Sequence, residues 1–136
     1  MGMFFTIKEL TASATARRMG IDNTPTLPQR HNLMQLITYI LDPLRKAYGH
    51  PIAVNSGFRS AALNAAVGGA KNSEHLCRGM SAAADITAGS PAENEKLFRL
   101  AQSLRLPFRQ LIDEKHYRWI HVSYNPYDVR RQVLHL

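Results

Sequence analysis

The spacing of the apolar residues changes partway along this chain, and that change limits the fold more than any other feature. From Asn32 to Lys46, residues Leu33, Leu36, Ile37, Ile40, Leu41 and Leu44 recur at the three-and-four interval of an amphipathic helix, closed by Gly49 and Pro51. From Pro107 onward, "PFRQLID", "RWIHVSY" and "RRQVLHL" alternate or are rich in β-formers, separated by "EKHY" and "NPYDV". Those stretches predict an antiparallel meander. Helices first and strands mostly last predict an α+β domain: an antiparallel sheet with helices packed on one face and the other face left free.

The remaining elements fit that plan. Residues 6–19 predict one short helix stopped by Gly20, and "NTPTLPQ" a proline-bearing connector. "PIAVNSG" predicts a strand running into a turn, "SAALNAAVGG" a compact helix ended by glycines, and residues 83–87 a further strand. Ser90, Pro91 and Glu93 form a helix start, with Ser at the cap, Pro at the first position and Glu bonding back to the cap N–H. Leu97, Leu100, Ala101 and Leu104 give that helix its buried stripe.

A length of 136 residues suits one domain, 1–136, and 45% hydrophobic against 20% charged residues suits a globular core. The longest apolar-leaning run, "LMQLITYILDPL", is broken by Gln35, Thr38 and Asp42 and is too short to span a bilayer. A single cysteine, Cys77, excludes an internal disulfide and a Cys-based zinc site, so stability must come from packing. The net charge of +7 points to an anionic partner. Nucleic acid is not expected as that partner, because the charges are scattered, no helix is densely basic and no stacking-aromatic motif is present.

The chemistry is concentrated in "GAKNSEHLCRGMSAAADIT" and "WIHVSY". In a strand through the second, Trp119, His121 and Ser123 share one face, and Ile120, Val122 and Tyr124 share the other, apolar face. By the same parity Asp85 lies opposite Ile86. Two strands can then present Asp85 and His121 to one point, with His75 arriving from the flexible loop. Two imidazoles and a carboxylate suit a zinc ion with an open position, as hydrolytic zinc requires.

The ordered series "SGFRSAALNAAVGGAKNSEHLCRGMSAAADI" followed by "WIHVSY" resembles the M15 zinc peptidases, the D-alanyl-D-alanine carboxypeptidase or Hedgehog-like fold. The likeness extends back into "SATARRMGIDNTP" and "NLMQLITYILDPLR". It implies one Zn²⁺ held by His75, Asp85 and His121. Arg59 matches an arginine directed at the reacting carbonyl or a substrate carboxylate, and Ser73 a hydroxyl that bonds the substrate; a plain loop cap is the simpler role for Ser73.

Two departures from the pattern stand out. Nine residues separate His75 from Asp85, more than is usual in the family, and the excess in "LCRGMSAA" is expected to bulge. Cys77 lies within it and is expected to be a small packing residue and not a ligand. Where many relatives carry an acid three before the second histidine, this chain has Arg118. Asp113 and Glu114 are the candidate bases. A hairpin with an odd loop turns Asp113 towards the face of His121, and one with an even loop turns Glu114 towards it. The resemblance of "QLIDE" to the nearest branch favours Glu114 as the catalytic residue. His116 and His135 are expected to be exposed or structural, and Tyr124 and Tyr127 are candidates for the cleft rim, with a core or surface role equally open.

The resemblance implies a zinc metallopeptidase acting on short stem or cross-bridge peptides of bacterial peptidoglycan, as carboxypeptidase or endopeptidase. No secretory signal is visible in "MGMFFTIKELTAS", so a phage or prophage lytic enzyme working as a monomer is expected. The alternative is a non-catalytic, zinc-containing wall-binding module.

Overall fold

The computed structural model describes residues 2–136. The predicted first helix is two: α1 (Ile7–Thr11) capped by Thr6, and α2 (Ala14–Met19) capped by Ser13. Each cap hydroxyl accepts a backbone N–H of its first turn, so Ser13 starts a new helix where the apolar pattern alone reads through. The long helix begins earlier than predicted. Thr26 and Gln29 form a reciprocal capping box for α3 (Leu27–Leu36), drawing part of the expected connector into the helix.

The chain then widens into a π turn (Ile37–Leu41) before α4 (Asp42–Tyr48), which ends at Gly49 in the left-handed conformation. Pro43 explains the widening. It has no N–H for the Tyr39 carbonyl and its ring would press on it, so the ladder steps out and Asp42 N–H bonds to Ile37 O. Leu33, Leu36, Ile37, Ile40, Leu41 and Leu44 are all buried despite the change of pitch.

Five strands form one sheet in the order β1-β2-β4-β3-β5: β1 (Ala53–Ser56), β2 (Ala82–Thr87), β3 (Gln110–Glu114), β4 (Trp119–Tyr124) and β5 (Gln132–His135). The first four pair antiparallel, but β5 runs parallel to β3. The predicted meander is therefore corrected at its last step. With β2 and β3 on its two sides, β4 has no free edge, and β5 takes the outer edge of β3 instead.

Ala82, Ala84, Ile86, Ile120, Val122 and Leu111 face a core built with α3, the π turn, α4 and α6 (Pro91–Ser103). Phe5, Phe58 and Phe108 are also buried. Ser90 caps α6 as predicted, accepting Glu93 N–H, but the Glu93 carboxylate does not return to the cap. It accepts the Tyr48 hydroxyl at 2.6 Å and pairs with Lys96. Asn94, fully buried on α6, bonds Thr87, Ala88 N and the carbonyls of Tyr117 and Arg118, tying the helix to the end of β2 and to the β3–β4 turn.

The second sheet face is not left free. The excursion after β1, with α5 (Ala61–Ala66) and a 3-10 turn (Glu74–Leu76), comes back against β2. The extra residues between His75 and Asp85 do not bulge the strand, since β2 pairs with β4 without interruption from Ala82 to Ile86. They are taken up before it, where Cys77 adopts a left-handed conformation and buried Asn32 donates to the carbonyls of Cys77 and Gly79. The irregularity of the sheet lies in β1, between Val54 and Ser56.

Candidate metal centre

Asp85 and His121 are direct cross-strand partners on β2 and β4, on the face opposite Ile86 and Ile120. The 3-10 turn delivers His75 to the same point. The donor atoms of His75, Asp85 and His121 all lie within 4.8 Å of one another, and this cluster can hold a metal ion. Asp85 Oδ1 lies 3.2 Å from His75 Nε2 and 3.0 Å from His121 Nδ1. Tetrahedral zinc with bonds of about 2.0–2.2 Å sets neighbouring donors about 3.3–3.6 Å apart, so the cluster fits after small adjustments.

The outer ring nitrogens strengthen that fit. His75 Nδ1 lies 2.7 Å from the Gly57 carbonyl, which can only accept, so Nδ1 carries the proton. His121 Nε2 lies 3.1 Å from Glu74 Oε1, whose carboxylate is paired with Arg109 at 2.9 Å. In neutral imidazoles with those protons placed, both inner nitrogens turn lone pairs towards a carboxylate oxygen. Three facing acceptors call for a cation between them, either a metal or a proton.

The electrostatics agree. Burial alone would raise Asp85, but bonds from His121 and His75 outweigh it and hold the carboxyl well below the usual range. Burial opposes charge on His121, yet the Asp85 and Glu74 carboxylates lift the imidazole to about 9. In the metal-free protein a second proton on His121 thus occupies the place of a cation. Burial likewise works to raise Glu74, and His121, Ser123 and Arg109 bring it below its ordinary value.

The surrounding loop is shaped to hold these groups. A Cβ on Gly57 would strike the backbone carbonyl of Leu10, and one on Gly69 would strike the Asn64 side chain, so both positions need glycine for close approach. Asn23 bonds Thr11 O, Phe58 O and Ser60 N, pinning the segment around Arg59. Arg59 is held by Ser56 at 3.2 Å and Asn64 at 3.1 Å, and its remaining nitrogen lies 3.9 Å from Asp85 Oδ2. Ser73 Oγ accepts His75 N–H, so it is the cap of the turn, with its hydroxyl proton still available.

The β3–β4 loop, Lys115 to Arg118, has an even number of residues, which places Glu114 opposite Trp119 on the face of His121. Its carboxylate accepts Trp119 Nε1–H at 3.3 Å. Asp113 points to the other face, where it accepts Tyr117 N–H and bonds His135 Nδ1. Lys115, His116 and Tyr117 are all left-handed in that turn. Cys77 packs in the core, its thiol pushed up to about 12 by burial, and takes no part in the cluster. Tyr124 packs in the core against Tyr39, whereas Tyr127 is 84% exposed.

Glu74 and Arg109 are the site residues that sequence reasoning missed. Glu74 stands far from His121 in the chain, and its only signal was its place beside His75. A polar cavity of about 400 Å³ opens beside them, lined in part by Ser73, Glu74, Arg78 and Arg109. A second cavity, of about 460 Å³, adjoins Ser56, Gly57 and Arg59.

Among the described residues, no helix is long and apolar enough to cross a membrane. A comparison with curated proteins gave no match. The family model described as Peptidase M15 matches residues 3–123, which takes in both histidines, Asp85, Arg59 and Glu114, and by that match the chain belongs to the peptidase M15 family.

Proposed function

We propose that this protein is a zinc-dependent metallopeptidase that hydrolyses short stem or cross-bridge peptides of bacterial peptidoglycan, as a single domain and a monomer. The observation that carries this reading is the convergence of His75 Nε2, Asp85 Oδ1 and His121 Nδ1, with both outer ring nitrogens turned to acceptors. These three residues would hold the ion. When bound, zinc supplies Lewis acidity, polarising a carbonyl and making water a stronger acid.

Glu114, on the same sheet face, takes a proton from the attacking water and returns it to the leaving amine. Arg59, immobilised by Ser56 and Asn64, donates to the carbonyl oxygen as negative charge develops there. The Ser73 hydroxyl donates to the substrate backbone. We assign the peptide to the cavities that adjoin Arg59 and Ser73.

One observation favours a second reading, a zinc-containing wall-binding module without catalysis: the Glu114 carboxylate is engaged by Trp119. One experiment separates the two. Zinc content and release of new amino termini from purified peptidoglycan are measured for wild type, His121→Ala and Glu114→Gln. One equivalent of zinc with cleavage, both lost in His121→Ala, supports the peptidase. Zinc without cleavage supports the binding module, and no zinc uptake overturns both.

A further inference from the structure

We propose that Glu74 is a positioning residue for the metal centre, fixing His121 so that its Nδ1 faces Asp85 and His75. The inference rests on the metal-centre reading above and extends it to a residue outside the metal-binding cluster. Four observations carry it. Glu74 Oε1 lies 3.1 Å from His121 Nε2, and Glu74 Oε2 accepts a hydrogen bond from Arg109 Nη1 at 2.9 Å. Arg109 is in turn anchored through Nε to Asp128 Oδ2 at 2.9 Å. Glu74 does not belong to the set of donor atoms within 4.8 Å.

The last point separates positioning from ligation. His121 turns one ring nitrogen to Asp85 and the opposite one to Glu74, so a cation between Nδ1, Asp85 and His75 lies on the far side of the ring from Glu74. A carboxylate there accepts the Nε2–H, selects the tautomer with a free Nδ1 lone pair, blocks rotation of the ring and makes Nδ1 a stronger donor. His75 receives the matching restraint from the Gly57 carbonyl. The two imidazoles are thus held by different devices, one by backbone and one by the side-chain chain Asp128–Arg109–Glu74.

The test compares wild type, Glu74→Gln, Glu74→Ala and, as a half-exposed control on α6 outside the site, Glu95→Ala. Zinc affinity is measured by competition with a chelator. The His121 ring is followed by ¹⁵N-resolved NMR of the zinc-loaded protein, and thermal unfolding of the metal-free proteins reports on the fold. Glu74→Ala is expected to bind zinc about 10–100-fold more weakly and to lose the slowly exchanging Nε2–H signal. Glu74→Gln, which keeps an acceptor oxygen without the charge, is expected to retain that signal with a smaller loss, and the control to match wild type.

Zinc affinities within twofold of wild type in both Glu74 variants would overturn the inference. If the alanine variant does not fold, the glutamine variant decides on the same twofold limit. Failure of the wild type itself to take up zinc overturns the metal-centre reading and this inference with it, an outcome distinct from intact zinc binding in the variants.

Discussion

Asp85 and His121 stand directly opposite each other across β2 and β4, with carboxylate oxygen and ring nitrogen 3.0 Å apart. Antiparallel pairing fixes that distance through the backbone, so the pair depends on register and not on loop conformation. His75 comes instead from the 3-10 turn before β2, which is secured separately by Ser73, Gly57 and the Asn32 clamp.

Metal uptake should depend on pH in a defined direction. In the metal-free protein His121 titrates near 9, raised from 6.5, so below about 9 a proton must leave before Nδ1 can bind a metal. Apparent zinc affinity is expected to climb about tenfold per pH unit up to about 9 and then level off. The stability this imidazole gives the metal-free fold is fully present below pH 6.5 and is lost as the pH rises through about 9. Chelator competition and metal-free unfolding across pH 6–10 check both slopes; a flat affinity profile would contradict the assignment.

Glu114→Gln and Asp113→Ala should separate chemistry from stability. Glutamine at 114 still offers an oxygen to Trp119, so zinc content and unfolding midpoint should hold while turnover falls about 10²–10⁴-fold. Asp113→Ala strands the Tyr117 N–H and the His135 partner, and should cost about 1–3 kcal/mol in denaturant unfolding with zinc content unchanged.

Asn94→Ala removes a buried side chain that serves β2, α6 and the β3–β4 turn together. The expected loss is roughly 2–4 kcal/mol, since the carbonyls and N–H it satisfied are left without partners. Equilibrium unfolding in urea measures it, and a change under 1 kcal/mol would show that water replaces the amide.

Gly57→Ala should injure the metal centre through the backbone. The added methyl meets the Leu10 carbonyl, displacing the Gly57 C=O that orients His75. A stability loss of about 1–3 kcal/mol accompanied by weaker zinc binding is expected. Zinc titration of the folded variant decides whether the two effects are coupled.

Much of the site was legible because a strand has period two: Ile120, Val122 and Tyr124 mark the core face, and His121 must then lie on the other. The stripe from Leu33 to Leu44 likewise marked a buried helix, though not the π turn, because periodicity records which residues are buried and not how the ladder accommodates Pro43. The direction of β5 was hidden because alternation says nothing about which edge remains open. Glu74 was hidden for a similar reason: its partners Arg109 and His121 are brought to it only when the loop before β2 closes over the sheet. The choice between Asp113 and Glu114 follows a parity rule, and the β3–β4 register sets the parity.

The left-handed turn at Lys115, His116 and Tyr117 therefore works as a reading frame. Shortening it by one residue while keeping the hairpin would exchange the faces of Asp113 and Glu114, sending the first towards the imidazoles and the second towards the helices. Which carboxylate shares the face of the imidazoles is encoded in the length of a surface turn. For insertions and deletions, this makes the turn as sensitive a locus as the histidines are for substitutions.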